Sequence, residues 1–432
     1  MKTAARRFSA KSKQEIQTET RQMSTSDEKM QYLEKSILWN PWWVLSKNTC
    51  TALDAEEFSL SMAKPAPPLR DQPPPPPPPP KPPEPKQPPK GLIESFYDFK
   101  DWLNTPPPPK PKKAATKPEV KKPRVAPFDI QQIPDAMERI GCPMAAKLQR
   151  KWFAGELNYI TSDKGEKLGL NQDGKQFPPS MIDTTMFKMD WILKFERAKE
   201  KYDELVRRRI FSENAKKTLV SKVVKSEPSP YIVDVWDLCG RDMQKLHNHW
   251  QYQFIDVDAN GGEQFAMLFR GVQWKSGRFM DDLYGALGAF AFYLALGRYR
   301  YTTYVTYERR QRGRLEIHEV FAYMRDIFTF YDRPSDGGSQ YLGHWNKGGF
   351  IVVPAAFAAG RITKSRWARF PVAKNGALQD WTVYYPVSND DYRNWQIEHK
   401  QGEDLILYSD MRKIYFHRPI IIDFDLLTGE IS

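Results

Sequence analysis

Cysteine is scarce. Cys50, Cys142 and Cys239 are the only three in 432 residues, far apart and with no CxxC among them. An odd, dispersed set excludes a disulfide framework and a cysteine-based zinc site, and it points to synthesis in a reducing compartment. Histidine is scarce too, with six residues, and no HExxH, GxSxG, P-loop or GxGxxG pattern occurs. The common metalloprotease, serine-hydrolase and nucleotide-binding signatures are therefore missing. No apolar run reaches the ~20 residues that a membrane-spanning helix needs. The nearest approach is DDLYGALGAFAFYLALGRYRY, whose uncharged part, Leu283–Gly297, has 15 residues including Gly285, Gly288 and Gly297. Leu283, Leu287, Phe290 and Leu294 keep a helical spacing behind Asp281 and Asp282, where carboxylates favour a helix start. The expectation is a buried helix ending at Gly297 and handing over to a strand. The basic N-terminus MKTAARRFSAKSKQEIQ is followed by no apolar run of about 7–15 residues, so no Sec-type leader is expected.

Proline, by contrast, is abundant and unevenly placed. Of 36 prolines, 23 fall between Pro65 and Pro123, eight of them consecutively at Pro73–Pro80. A residue with fixed φ and no donor N–H builds neither helix nor central strand. This stretch is expected to be an extended polyproline-II spacer, rising about 3.1 Å per residue. The chain then divides into a mostly disordered segment 1–64 with a tryptophan cluster, a proline-rich linker 65–126, and one globular domain 127–432. The cluster WNPWW (Trp39–Trp43) is either a small packing unit or a recognition motif. Inside the linker, GLIESFYDFKDWLN (91–104) repeats Leu92, Phe96, Phe99 and Leu103 at helical spacing, with Ile93 and Trp102 flanking. A helix of about 14 residues is marginal alone in water. It either docks in a partner's groove through Leu92, Phe96, Phe99, Trp102 and Leu103, or folds back onto the main domain.

The net charge of +12 belongs mainly to this arm. Residues 1–126 hold 22 Lys+Arg against 14 Asp+Glu, whereas the remaining 306 hold 43 against 39. Basic residues among prolines keep a segment solvated and extended, and a domain so nearly neutral gives no case for specific nucleic-acid binding.

Within 127–432 the periodicity changes along the chain. Pro134 and Pro143 suit first helical turns, giving helices over 134–140 and 143–153. A long helix is expected from Asp183, with Phe187, Trp191, Phe195, Ala198, Tyr202 and Leu205 on one face. Another follows Ser212 to about Val224. A short helix is expected earlier, over Asp27–Leu38. After Pro230 alternation prevails: Tyr299–Tyr307, Leu315–Phe330, Tyr341–Val353, Trp381–Val387, Asp404–Ser409 and Ile414–Asp425 read as strands. A late helix is capped by Ser388 with Asp391, turns Trp395 and Ile397 inward, and stops at Gly402. The class is α+β, with N-terminal helices packed on a mostly antiparallel sheet and a disordered proline-rich arm in front.

Chemistry is harder to place. IDVDANGGE puts Asp256, Asp258 and Asn260 at calcium-loop spacing, but the bidentate Glu such a loop needs is replaced by Met267, and a solvated Asn-Gly-Gly turn reads the same letters. His247 and His249 form an H-x-H on one strand face, two ligands at most. His249, Asp281, Asp282, His344 and Asp410 are the candidate catalytic residues, with His318 a further histidine able to pair with a carboxylate. No metal and no cofactor is implied.

The stretches IDTTMFKMDW (182–191), DDLYGALGAF (281–290), RLEIHEVFAYMRDIFTF (314–330), QYLGHW (340–345), VSNDDYRNW (387–395) and GEDLILYSD (402–410) together resemble an uncharacterised bacterial domain-of-unknown-function family. Its members occur in proteobacteria, often beside type VI secretion and Rhs-type toxin genes. The resemblance covers roughly 127–425 and transfers no catalytic residue. It implies a context: an antibacterial effector delivered to neighbouring cells and acting on the envelope, or a non-enzymatic adaptor of the secretion system that binds partners through its arm. The partners would be a secretion-apparatus or chaperone protein and an immunity protein. The place would be the bacterial cytoplasm, with export by that machine rather than by a signal peptide.

Overall fold

A computed structural model describes residues 29–35, 43–70, 125–258, 281–334, 338–353 and 369–431. The docking stretch 91–104, with Leu92, Phe96, Phe99, Trp102 and Leu103, lies outside the described residues, as does Asn260. The described chain is α+β, and its strand pairs are antiparallel except one. No helix among the described residues is long and apolar enough to cross a membrane.

Two strands come from the N-terminal segment. β1 (Lys29–Lys35) pairs with β2 (Trp43–Ala52), so the described part of the stretch expected to be helical, 29–35, is a strand. β2 then pairs with β10 (Val372–Lys374), which pairs with β11 (Val383–Ser388), then β8 (Tyr341–Asn346) and β9 (Gly349–Ile351). Leu33 and Val352 exchange both backbone hydrogen bonds, at 2.8 and 3.0 Å. The six-stranded sheet thereby curls back onto its first strand, and Tyr32, Cys50, Tyr341, Ile351, Val372 and Tyr384 fill the space inside. Closure leaves few unpaired strand edges. The chain after β2 stays with the body. Ser61 and Ile130 share a backbone hydrogen bond of 2.9 Å, and Arg70 forms an ion pair with the buried Glu403. Much of the segment expected to lie outside the domain is thus built into it.

Helices α1 (Ile133–Arg139) and α2 (Pro143–Phe153) begin with their prolines in the first turn, as expected. Trp152 of α2 stands at the centre of an aromatic cluster with Phe330, Tyr392 and Trp395, at ring-centroid distances of 5.0, 5.7 and 5.8 Å. α3 (Asp163–Leu168) is capped by Ser162. The long helix expected from Asp183 begins instead as strand β3 (Ile182–Phe187) and turns helical only in α4 (Met189–Ile192) and α5 (Glu196–Glu204). The backbone here pairs in parallel with Ile406, Leu407 and Ser409, and the Asp183 carboxylate accepts from the amides of Thr185 and Met186 at 2.6 and 2.9 Å. α6 (Glu213–Val223) follows its Ser212 cap as expected.

The second sheet holds seven strands in the order β3, β12 (Leu405–Ser409), β7 (Gln311–Phe328), β6 (Phe290–Val305), β4 (Ser229–Asp234), with β13 (Arg412–Asp425) on β7 and β5 (Gln251–Val257) on β6. Parallel β3–β12 is the exception noted above. Leu283–Gly297 is not one helix. α9 (Asp282–Leu287) ends at Gly288, whose φ of +55° favours glycine, and β6 starts two residues later. The run is apolar because both faces of β6 are covered. Phe292 meets Tyr202 of α5, while Tyr293 meets His247 of α8 (Met243–Trp250) on the other side. In α10 (Asn389–His399) Trp395 is buried, but Ile397 is 55% exposed rather than inward.

Candidate functional site

On one face of the seven-stranded sheet, Phe321, Tyr323 and Arg325 alternate along β7. Tyr323 stands opposite Tyr293 of β6, and Arg325 stands between Ala291 of β6 and Tyr408 of β12. Two short helices lie against this face. In α7 (Val235–Leu238), Asp234 caps the start, and Trp236 meets the Phe321 ring edge-on at 6.5 Å. In α8, His247 inserts its ring among Tyr293, Tyr323 and Tyr408 at 4.7, 6.0 and 6.0 Å, with Nδ1 3.1 Å from the Tyr323 hydroxyl. H-x-H therefore sits on a helix, not a strand, so one histidine is driven inward while His249 remains exposed.

The electrostatics of this cluster follow from burial. Burial pushes the His247 imidazole down to about 3, helped by the nearby Arg325 and Lys222 charges, so it is neutral. Burial also raises the hydroxyls of Tyr293, Tyr323 and Tyr408, which stay protonated. Arg325 is consequently a largely buried cation among neutral groups. Burial works against its charge, while the neutral Tyr408 and Tyr293 hydroxyls beside it and the more distant Glu166 favour it. Among the described residues its Nε has no hydrogen-bond partner.

A solvent-open cleft of about 540 Å³ lies beside the cluster, between the α7–α8 corner and the end of β12. Trp236, Arg241, Asp242, Met243 and Gln244 form one wall, and Thr184, Ser409, Asp410 and Met411 form the other. Both wall carboxylates are engaged. Asp242 caps α8 through the amides of Gln244 and Lys245 at 2.8 and 3.0 Å, and Asp410 accepts from the Met189 amide at 2.6 Å. The cleft adjoins the cluster in sequence, since Ser409 follows Tyr408 and Gln244 precedes His247 by one turn.

The residues singled out from sequence are dispersed. Asp410 reaches the cleft as a helix cap. Asp282 caps α2, accepting from Met144 and Ala145 amides at 2.9 and 3.0 Å. Asp281 caps its own helix through Tyr284 and takes Arg197 bidentately at 2.6 and 2.9 Å. Asp258 meets the same Arg197 at 2.7 Å, while Asp256 faces solvent from β5, so the supposed calcium carboxylates are split between different tasks. His344 is fully buried in the six-stranded sheet, with Nε2 3.0 Å from the Phe370 carbonyl oxygen and its other nitrogen on the Tyr341 hydroxyl. His318 lies on β7, where burial lowers its imidazole and Nε2 has no partner among the described residues. Among the described residues no group of three or more His, Cys, Asp or Glu is placed to hold a metal. Sequence reading passed over Arg325. The available signal was the charged pair Arg325–Asp326 directly after the buried run Val320–Met324.

Residues 128–424 match the model of a family of unknown function, DUF6402. No curated protein and no solved structure matches the chain.

Proposed function

We propose, from the premise that the chain belongs to the DUF6402 family of unknown function, that it is an antibacterial effector of a contact-dependent secretion system and engages its target at the α7–α8 cleft. The observation that carries this reading is the cleft of about 540 Å³ beside a buried cluster of one arginine, three tyrosines and a neutral histidine. Ligand sites combine a concave apolar wall with a few polar groups, and Arg241, Asp242, Gln244, Ser409 and Asp410 line this one. The secretion context comes from the family resemblance, and the envelope of the recipient cell is the proposed place of action. Producing the full chain in a bacterium, once in the cytoplasm and once with an added export signal, should impair growth in at least one compartment. Normal growth in both would overturn the reading.

A second reading is favoured by one specific observation: Asp281, Asp282 and Asp410 each act as a helix cap or ion-pair partner. On that reading the chain is an adaptor that joins cargo to the apparatus through residues 91–104. Pull-down with the full chain, against Leu92→Asp combined with Phe96→Asp, separates the two. Equal recovery of partners would remove the adaptor.

A further inference from the structure

Among the described residues the largely buried arginines are paired with carboxylates, save one. Arg197 holds Asp258 and Asp281, Arg70 holds Glu403, and Arg393 reaches Asp404. Arg325 has no carboxylate within ion-pair distance among the described residues, and its Nε is unpartnered. Glu166 and the neighbouring Asp326 act on it through space, without a contact pair. Asp256 lies on the same rung of the sheet, one strand further off, with Ala291 between them. A guanidinium removed from water without a counter-charge is costly, and such groups are ordinarily paired or bind a ligand. Ala291 places only a methyl on one flank, and Arg325 keeps partial solvent exposure. Phe254, 47% exposed, stacks on Tyr293 with ring centroids 5.7 Å apart, next to the same rung.

We infer that Arg325 is the anchor of a binding site for a small anionic ligand, a phosphate or carboxylate group. Tyr408 and Tyr293 orient the guanidinium, and the exposed Phe254 ring supports the ligand's apolar part. This deepens the cleft reading and rests on it only for location, because anion binding can be measured without any assay of growth. A guanidinium fork suits either anion, since it presents paired N–H donors to paired oxygens.

The test is calorimetric titration of the full chain with inorganic phosphate and, separately, with acetate, each at matched ionic strength in chloride to remove general screening. Saturable binding of one of them is expected, and the stronger arm identifies the chemistry. Arg325→Gln should weaken it about tenfold or more, the scale of one charge-assisted hydrogen bond. Tyr408→Phe, which keeps the ring packing, should weaken it severalfold and covers the case in which the arginine variant fails to fold. Absence of saturable binding to both anions, or affinity unchanged in Arg325→Gln or in Tyr408→Phe, would mean a solvated guanidinium only and would overturn the inference.

Discussion

Single residues show how the fold uses its charges. Arg197 is the clearest case: one guanidinium holds two carboxylates, Asp258 at the end of β5 and Asp281 at the start of α9. Arg197→Met leaves both acids facing a site built for a cation. The expected cost is about 3–5 kcal/mol, the range for breaking a buried pair, read from urea midpoints. Asp282→Ala removes the cap of α2, so stability should fall by about 1 kcal/mol; an effect on function beyond that loss would restore Asp282 as a chemical group. Asp183 gives a pH prediction. Burial opposes its charge, but the Lys151 ammonium and the Thr185 and Met186 amides more than offset this and hold the carboxyl at about 2. An unfolded aspartate titrates near about 3.9. Because the folded value is depressed, the stabilisation is complete above about pH 4 and is lost as pH falls toward about 2. Asp183→Asn should flatten that acid limb in urea titrations, and an unchanged slope would assign the acid sensitivity elsewhere.

At the scale of elements, caps and alternation were legible in the sequence, whereas buried apolar runs were not. Pro134, Pro143, Ser212 and Ser388 mark helix starts through local chemistry, and the structure places helices there. The strand at Tyr299 was visible because polar residues alternate along it. Leu283–Gly297 and Ile182–Phe187 misled because their spacing fits a helix, although tertiary pairing makes them largely strand. A strand covered on both faces has no polar alternation to reveal it. The cluster around Arg325 was unreadable for a related reason: its members come from β6, β7, α8 and β12, and only sheet register brings them together. Register also explains Gly313 on β7. A Cβ there would lie 2.4 Å from the Phe424 ring, which is fully buried on β13 opposite and stacks on Tyr301. Gly313→Ala should therefore cost about 1–3 kcal/mol by overpacking, measurable as a lowered thermal midpoint. Unchanged stability would show that the β7–β13 pairing is loose.

For the whole molecule, the main revision concerns where the body begins. Residues 127–432 looked sufficient, yet β1, β2 and Arg70 contribute two strands of a closed sheet and the ion pair on Glu403. A chain starting at 127 exposes the paired edges of β10 and β9 and leaves the Glu403 carboxylate, hydrogen-bonded by Asn158 and Ser180, without its cation. Such a truncation should melt at a clearly lower temperature than the full chain, and equal melting would return the boundary to 127. Functional assays accordingly need the full chain. The central claim is that the molecule acts through the cleft and the Arg325 anchor beside it. The most direct measurement is viable count after producing the full chain with an export signal in a bacterium, native beside Arg325→Gln at equal protein level. The account predicts a loss of viability with the native chain that is relieved in the variant. Equal viability in the two, whether both are harmless or both toxic, would contradict it.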